Sequence, residues 1–321
     1  MISALIIIIG LSLLILIHEL GHFLAAKYFG VKVEEFGFGF PPRLWSKEHG
    51  ETVYSVNSLP FGGFVRLYGE NKPLGPRSFL SQTAGRRALI IIAGVALNFL
   101  AGWFLISAIY FIGLPPAVVV NEVLAGSPGK AAGIQTGDVI LNFKTAGELV
   151  DFVKEHPGEE MILEIRRLDN NLIFRLTPQP RLGLSLVDAG IPARSLGASF
   201  IAGLKTSFDL AGAVLLALAT LFQAPGNVVG PVGILEIAVK TGGAGLIYLL
   251  QILALISINL AVLNILPIPA LDGGRLFFII IEKLRGRPLD FQKEARANLI
   301  GFAFLLALIV LVTVKDIIGI F

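Results

Sequence analysis

The chain has 321 residues, of which 55% are hydrophobic and 15% charged, and its mean hydropathy is +0.79. This composition is too apolar for an ordinary soluble domain and predicts a polytopic membrane protein surrounded by a lipid bilayer. A net charge of only +3 argues against nucleic acid as a partner. The chain has no cysteine, which excludes disulfides, thiol catalysis and cysteine-ligated zinc.

Four segments approach the roughly 20 apolar residues that a membrane-spanning helix needs. No charged residue precedes His18, so the N-terminus lacks the positive region of a signal peptide and we expect the first span to be retained. The predicted spans are 2–26, 88–111, 246–266 and 299–314.

The first span carries ionisable residues where lipid should exclude them. His18 and His22 are four residues apart and therefore share one helix face, and Glu19 lies between them. Charged side chains in the hydrocarbon core usually mark function. The pattern is H-E-x-x-H, in which two imidazoles bind zinc and the glutamate is the general base for the attacking water. The sequence therefore predicts a zinc site, whereas the other histidines, His49 and His156, are expected at the surface.

The loop after the first span is aromatic and rich in glycine. Residues 36–45, FGFGFPPRLW, and 51–69, ETVYSVNSLPFGGFVRLYG, alternate in polarity between Gly and Pro boundaries, which predicts strands. In the second span, GVALNFLAG places Gly94, Asn98 and Gly102 at four-residue steps, which forms a small-residue face for close helix approach.

A small β-rich domain of short strands around one helix is predicted between the second and third spans. Its segment 127–140, SPGKAAGIQTGDVI, resembles the signature of the permuted PDZ domains of bacterial proteases, which capture C-termini or extended peptides at a strand edge. Beyond it, the uncharged run 210–222 is short and is followed at once by Pro and Gly residues. We therefore expect that run to be interfacial or re-entrant rather than a fifth span.

Asp272 is the candidate third ligand that a catalytic zinc site requires. It lies in 264–275, NILPIPALDGGR, where Pro267 and Pro269 must unwind the chain near membrane depth. The alternative is that Asp272 caps the following helix at the membrane surface.

The lysines and arginines of the short loops predict the orientation. Residues 27–87 hold nine basic against five acidic residues, and 275–296 hold six against three, so both loops are expected in the cytoplasm. Both termini and the β-rich domain are then outside, and the histidines and Asp272 meet in the cytoplasmic leaflet. If 210–222 were a fifth span, Asp272 would lie on the opposite side of the membrane from the two histidines.

Together, HELGH in the first span and N-x-x-P-x-P-A-L-D-G-G before the last resemble the site-2 protease family of intramembrane zinc metalloproteases, and most closely the bacterial regulator-of-sigma-E protease type. The resemblance covers most of the chain. It implies that His18, His22 and Asp272 bind Zn2+, that Glu19 is the catalytic base, and that the protein lies in the bacterial plasma (inner) membrane.

The resemblance also implies residues that position the substrate. Asn98 matches a family position that holds the substrate backbone, although an amide in lipid could equally link two helices. Residues 36–69 would form a membrane re-entrant β-hairpin whose exposed edge holds an unfolded substrate segment, the alternative being an ordinary cytoplasmic hairpin. The other expected substrate-positioning residues are Phe61, Gly62, Gly63, Phe64, Asn264, Pro267 and Pro269.

The expected domain order is membrane core 1–113, PDZ-like domain 114–190, membrane-associated linker 191–245 and membrane core 246–321. The sigma-E type usually carries two PDZ domains in tandem, and only one fits here. Substrates of such an enzyme are single-span membrane proteins, such as trimmed anti-sigma factors or remnant signal peptides. A scaffold with a structural metal site is the main rival, but it would need no Glu19; a transporter is a third option, which the absence of an internal repeat disfavours.

Overall fold

A computed structural model describes residues 2–167, 170–179, 181–220, 233, 246–287 and 289–320 of the chain. These described residues fall into two compact units: those within 2–106, 203–220, 233 and 249–320 make up the first, and those within 107–202 and 246–248 the second. The helices are α1 (Ile2–Tyr28), α2 (Ala84–Ile112), α3 (Pro128–Ala131), α4 (Ala146–Glu155), α5 (Leu196–Ala219), α6 (Leu246–Ile265), α7 (Asp272–Arg285) and α8 (Phe291–Ile320). The strands are β1 (Val33–His49), β2 (Thr52–Leu67), β3 (Leu114–Val123), β4 (Val139–Ile140), β5 (Met161–Arg167), β6 (Asn170–Leu176) and β7 (Leu184–Ile191).

Within the described ranges, five helices are long and apolar enough to cross a membrane: α1, α2, α5, α6 and α8. The 27 residues of α1 give a length of about 40 Å, which exceeds the roughly 30 Å of a hydrocarbon core. These helices agree with the predicted polytopic membrane protein. Large apolar side chains such as Leu13, Phe104 and Leu311 are exposed on the helices, as lipid-facing positions require.

The prediction of a short segment at 210–222 is wrong in its length. The structure has a 24-residue helix that begins at Leu196 and therefore includes Lys205 and Asp209, the charges at which an uncharged run breaks. By length and composition α5 is a candidate span, and Asp272 still reaches the histidines; that residues 210–222 do not cross the membrane stays a prediction. Residues 221 and 222, and the rest of 221–245 in the expected membrane-associated linker except residue 233, lie outside the described residues.

In the first unit, β1 and β2 each bend and together form four strand segments. Segment 63–67 runs antiparallel to 33–38, which in turn runs parallel to 53–56, and 43–49 pairs antiparallel with 52–57. The segment order is therefore 63–67, 33–38, 52–57, 43–49. Segment 63–67, which we call the edge segment, pairs with one other segment among the described residues, and on its other side the backbone N–H of Val65 donates to Glu19 of α1.

A buried carboxylate ties the four segments together. Glu35 lies in 33–38 and is only 3% exposed. Its oxygens accept a hydrogen bond from Ser55 at 2.7 Å and contact Arg43 and Arg66, one residue from each of the other segments. A buried charge is tolerated where it is paired on several sides, so this cluster fixes the relative positions of the strands.

Close helix approach and a shared apolar core pack the sheet beside α1 and α2. A Cβ at Gly21 would lie 2.3 Å from the carbonyl oxygen of Ala93, so only glycine allows α1 and α2 to come this near. The core here includes Ala26, Val31, Val33, Leu67, Phe79, Ile90, Ile91 and Ile279.

The second unit is a sheet with strand order β6-β5-β4-β3-β7, in which the pairs are antiparallel. Helix α4 begins at a capping residue, Thr145, whose hydroxyl accepts the backbone N–H of Glu148. Its buried residue Leu149 joins a core with Val118, Val120, Ile134, Ile140, Leu163 and Ile165. Asp138, which is 1% exposed, is held by Arg167 through two contacts of 2.7 Å. This contact raises the pKa of the Arg167 guanidinium, chiefly through the hydrogen bonds to Asp138.

Candidate metal centre

The structure brings His18, His22 and Asp272 together from two distant parts of the chain. Oδ2 of Asp272 lies 2.8 Å from Nε2 of His18 and 3.2 Å from Nε2 of His22, and the two Nε2 atoms are 3.2 Å apart. Both histidines are buried. The two rings meet edge to face at 87° because a four-residue spacing on α1 stacks them on one face.

A turn between α6 and α7 delivers Asp272. Pro267 and Pro269 lie in this turn, as predicted, and Ala270 has a φ of 78°. Gly301 of α8 packs on the turn so closely that a Cβ there would lie 2.3 Å from the carbonyl oxygen of Pro269. Asp272 is the first residue of α7, but the N-cap is Leu271.

The donor set fits a zinc ion. Oδ2 of Asp272 is buried and has no hydrogen-bond partner among the described residues, and it faces the two Nε2 atoms. Bond lengths of about 2.0–2.1 Å in a tetrahedral zinc site put neighbouring ligand atoms about 3.3 Å apart, which is close to the separations here. Imidazole nitrogen with a carboxylate oxygen is also the ligand type that zinc accepts.

Glu19 lies beside the three ligand atoms and is held by the sheet. Its Oε2 accepts the backbone N–H of Val65 in the edge segment at 3.0 Å. A 240 Å³ cavity is lined by Glu19, His22, Phe64, Val65 and Asp272, among others. The Glu19 carboxylate, two of the three candidate ligands (His22 and Asp272) and the edge segment therefore line one small space.

A second cavity of 540 Å³ adjoins this space. The two cavities share Glu70, Phe79, Ile91 and Arg275 in their linings. Arg275 forms an ion pair with Glu70 at 2.6 Å where the linings overlap.

Two asparagines lie at the candidate centre, as the sequence leads one to expect. Nδ2 of Asn98 is 3.3 Å from Nδ1 of His18, and Nδ2 of Asn264 is 3.4 Å from Nε2 of the same ring. Asn98 is fully buried.

The remaining predicted residues lie on β2. Gly62 and Gly63 approach α1, since a Cβ at these positions would lie 3.1 Å from Ile15 and 3.0 Å from Leu16, respectively. Phe61 belongs to the same strand, its side chain lying outside the described part of the structure, and Phe64 lines the smaller cavity.

Three contacts were not predicted from the sequence. The carbonyl oxygen of Ile90 is 2.9 Å from Nδ1 of His22, and the N–H of Val65 reaches Glu19. Both contacts are made by backbone atoms, so the residue types in the sequence do not indicate them. Gly94 was noted for helix packing, but a Cβ there would lie 2.5 Å from Nε2 of His22, so its main neighbours are the two imidazoles.

Comparison with known proteins agrees with this chemistry. The model of peptidase family M50 matches residues 6–308. A putative zinc metalloprotease of Clostridium acetobutylicum is 34% identical, with 97% of this chain and 96% of that protein aligned. One from Clostridium perfringens is 35% identical over 97% of each chain.

The regulator of sigma-W protease RasP of Bacillus subtilis is 29% identical, with 98% of this chain and 97% of that protein aligned. These relatives confirm the predicted enzyme class and its zinc cofactor. The chain therefore belongs to peptidase family M50, the site-2 protease family, and is an intramembrane zinc metalloprotease.

Proposed function

We propose that this protease cleaves single-span membrane proteins within the bilayer, as a step of regulated intramembrane proteolysis. Its substrates would be anti-sigma factors already trimmed on their outer side, or remnant signal peptides. The relative named regulator of sigma-W protease supports this substrate class. The observation that carries the proposal is the placement of Glu19, which lies among the candidate metal ligands on an apolar helix and also contacts a strand edge.

His18, His22 and Asp272 would hold the zinc ion. When bound, zinc supplies a Lewis acid that lowers the pKa of a water and polarises a carbonyl. Glu19 takes the proton of the attacking water and returns it to the leaving amine. Its Oε2 already accepts the N–H of Val65, which fixes the carboxylate and leaves Oε1 for the proton.

Asn264 and the edge segment would position the substrate. The backbone N–H of Val65 points away from the sheet toward Glu19. Because N–H directions alternate along a strand, the N–H groups of Gly63 and Leu67 point to the same side. A helical substrate hides its backbone in its own hydrogen bonds, and pairing with this edge would hold a cleavable segment extended. Nδ2 of Asn264 lies 3.4 Å from Nε2 of His18, and in this proposal it donates to a scissile carbonyl held beside the metal.

Replacement of Gly63 by proline tests the role of the edge, because it removes one outward N–H. We expect cleavage of a helical membrane substrate to fall at least tenfold, while cleavage of a short unstructured peptide changes little. Ser46→Pro, on the opposite edge of the same sheet, is the matched control. Equal loss on both substrates would contradict strand pairing.

Water would reach Glu19 through the two adjoining cavities, with the Arg275–Glu70 ion pair at their boundary. The positive-inside rule puts this side of the molecule in the cytoplasm, together with the loops 27–87 and 275–296. The termini and the second unit would then be outside. The second unit would act as a PDZ-like domain that binds a peptide or C-terminus beside β7, which is an edge strand of the sheet among the described residues.

The proposed function is tested with purified protein in liposomes and a panel of single-span peptides that contain helix-breaking residues. The wild type should cut them, and Glu19→Gln should lose at least 100-fold in rate while binding the same amount of zinc. Cleavage by Glu19→Gln at the wild-type rate would contradict the assigned base. Zinc binding without cleavage of any single-span peptide by the wild type would contradict the proposed substrate class.

A further inference from the structure

The amide of Asn98 is in an unusual state for a fully buried group. Its Oδ1 is buried and has no hydrogen-bond partner among the described residues. Its Nδ2, which can only donate, is 3.3 Å from Nδ1 of His18. An unpaired buried acceptor is destabilising, so we expect another state of the site to supply a donor for this oxygen.

The metal-bound site provides that partner. With its Nε2 directed at the ion, the neutral His18 ring carries its proton on Nδ1, which then becomes a donor. A half-turn of the Asn98 amide brings Oδ1 to this N–H. This rotation moves the Nδ2 donor of Asn98 away from the Nδ1–H donor of His18. It also gives the unpaired Oδ1 a hydrogen-bond donor.

His22 has the equivalent arrangement. Its Nδ1 lies 2.9 Å from the carbonyl oxygen of Ile90, which leaves Nε2 for the metal. Ile90, Gly94 and Asn98 follow one another at four-residue steps and lie on one face of α2. This face therefore offers an acceptor to each histidine and, at Gly94, the space for both rings.

Two other roles for Asn98 fit the structure less well. The contact between α2 and α6 at this point is made by Ser257, whose hydroxyl donates to the backbone oxygen of Asn98 at 2.7 Å and does not use the amide. A direct contact with substrate requires an accessible side chain, whereas Asn98 is 0% exposed.

We propose that Asn98 is a positioning residue for the metal centre: its Oδ1 accepts the Nδ1–H of His18 and holds the ring with Nε2 directed at zinc. Outer partners of this kind fix the tautomer and orientation of a ligating histidine, and their loss typically costs 10–100-fold in metal affinity. This inference rests on the proposed assignment of His18 as a zinc ligand.

The test uses the full-length protein in detergent and measures zinc affinity by competition with a chromophoric chelator. Asn98→Leu, which has a similar volume and no acceptor, should bind zinc 10–100-fold more weakly. Asn98→Asp keeps an acceptor and removes the donor, so it should stay within about threefold of the wild type. Ser257→Ala, which alters the neighbouring helix contact, should leave zinc affinity unchanged.

The absorption spectrum of the Co2+-substituted protein gives a second readout. We expect Asn98→Leu to shift the ligand-field bands, and Asn98→Asp to retain them. A further measurement covers the case in which Asn98→Leu does not fold: the Nδ1 proton of His18 should resonate further downfield in zinc-loaded Asn98→Asp than in the wild type, because a carboxylate is the stronger acceptor.

Wild-type zinc affinity in Asn98→Leu would overturn the inference, as would an Asn98→Asp variant that binds zinc as weakly as Asn98→Leu. An unshifted Nδ1 proton in Asn98→Asp would overturn it as well. These outcomes differ from a failure of the ligand assignment, which would show as a wild-type protein that binds no zinc at His18, and from a failure of the proposed function, which would show as zinc binding without cleavage.

Discussion

Gly94 offers a sharp test of the metal centre because its neighbours are the two candidate ligands. A Cβ at this position would lie 2.5 Å from Nε2 of His22 and 3.0 Å from Cε1 of His18. Ordinary contact begins at 3.4 Å, so Gly94→Ala requires the His22 ring to move by 0.9 Å. A metal site tolerates displacements of only about 0.2 Å.

The expected cost can be estimated from overpacking. Adding a methyl group to a packed site costs about 1–3 kcal/mol, and if this cost falls on the metal-bound state, zinc affinity drops about 5- to 150-fold. His22 cannot simply swing away, because Nδ1 is held by the carbonyl of Ile90. We expect cleavage to fall at least as much as zinc affinity.

The assay compares zinc affinity and cleavage in three alanine variants of α2. Gly85→Ala is the matched control, since a Cβ there meets no atom within 4 Å. Gly102→Ala meets the flexible end of Ile258 at 2.6 Å and so tests helix packing away from the rings. Wild-type zinc affinity in Gly94→Ala, or an equal loss in Gly85→Ala, would refute the reasoning.

Two predictions concern charged contacts away from the centre. Asp138→Ala should destabilise the second unit by about 3 kcal/mol, because Arg167 loses a buried partner; the measurement is faster hydrogen exchange in β3 and β5. The control is Asp151→Ala, which removes an exposed ion pair and should cost less than about 1 kcal/mol. Hydrogen bonds from Arg77 and then Lys27 lower the pKa of Glu51 from 4.5 to about 2. The stability that wild type has over Glu51→Gln in thermal unfolding should therefore be constant above pH 4.5 and disappear as the pH falls to about 2; a pH-independent difference would contradict the pairing.

The candidate centre could be predicted because its chemistry depends on residue type and spacing. HELGH fixes two histidines on one helix face, and the prolines before Asp272 end the preceding helix, so the sequence itself indicates where a third ligand is delivered. The contacts made by Ile90 and Val65 could not be found in this way, since any residue type has the same backbone groups.

The fold was predictable where apolar length decides the structure and less so where pairing is non-local. The first, second, third and last spans were expected close to their observed positions, whereas α5 was placed too late because Lys205 and Asp209 interrupt its apolar run. The parallel pairing of 35–38 with 53–56 is set by two bends in the chain and by the buried Glu35, and a strand pattern alone does not predict it.

The most direct test of the central claim is zinc K-edge X-ray absorption on the purified protein. It should show one zinc per chain with two imidazole nitrogens and a carboxylate oxygen at about 2.0–2.1 Å. The ligand set should persist in Glu19→Gln and lose its carboxylate in Asp272→Ala. A wild-type protein without zinc, or a ligand set unchanged by Asp272→Ala, would contradict the claim.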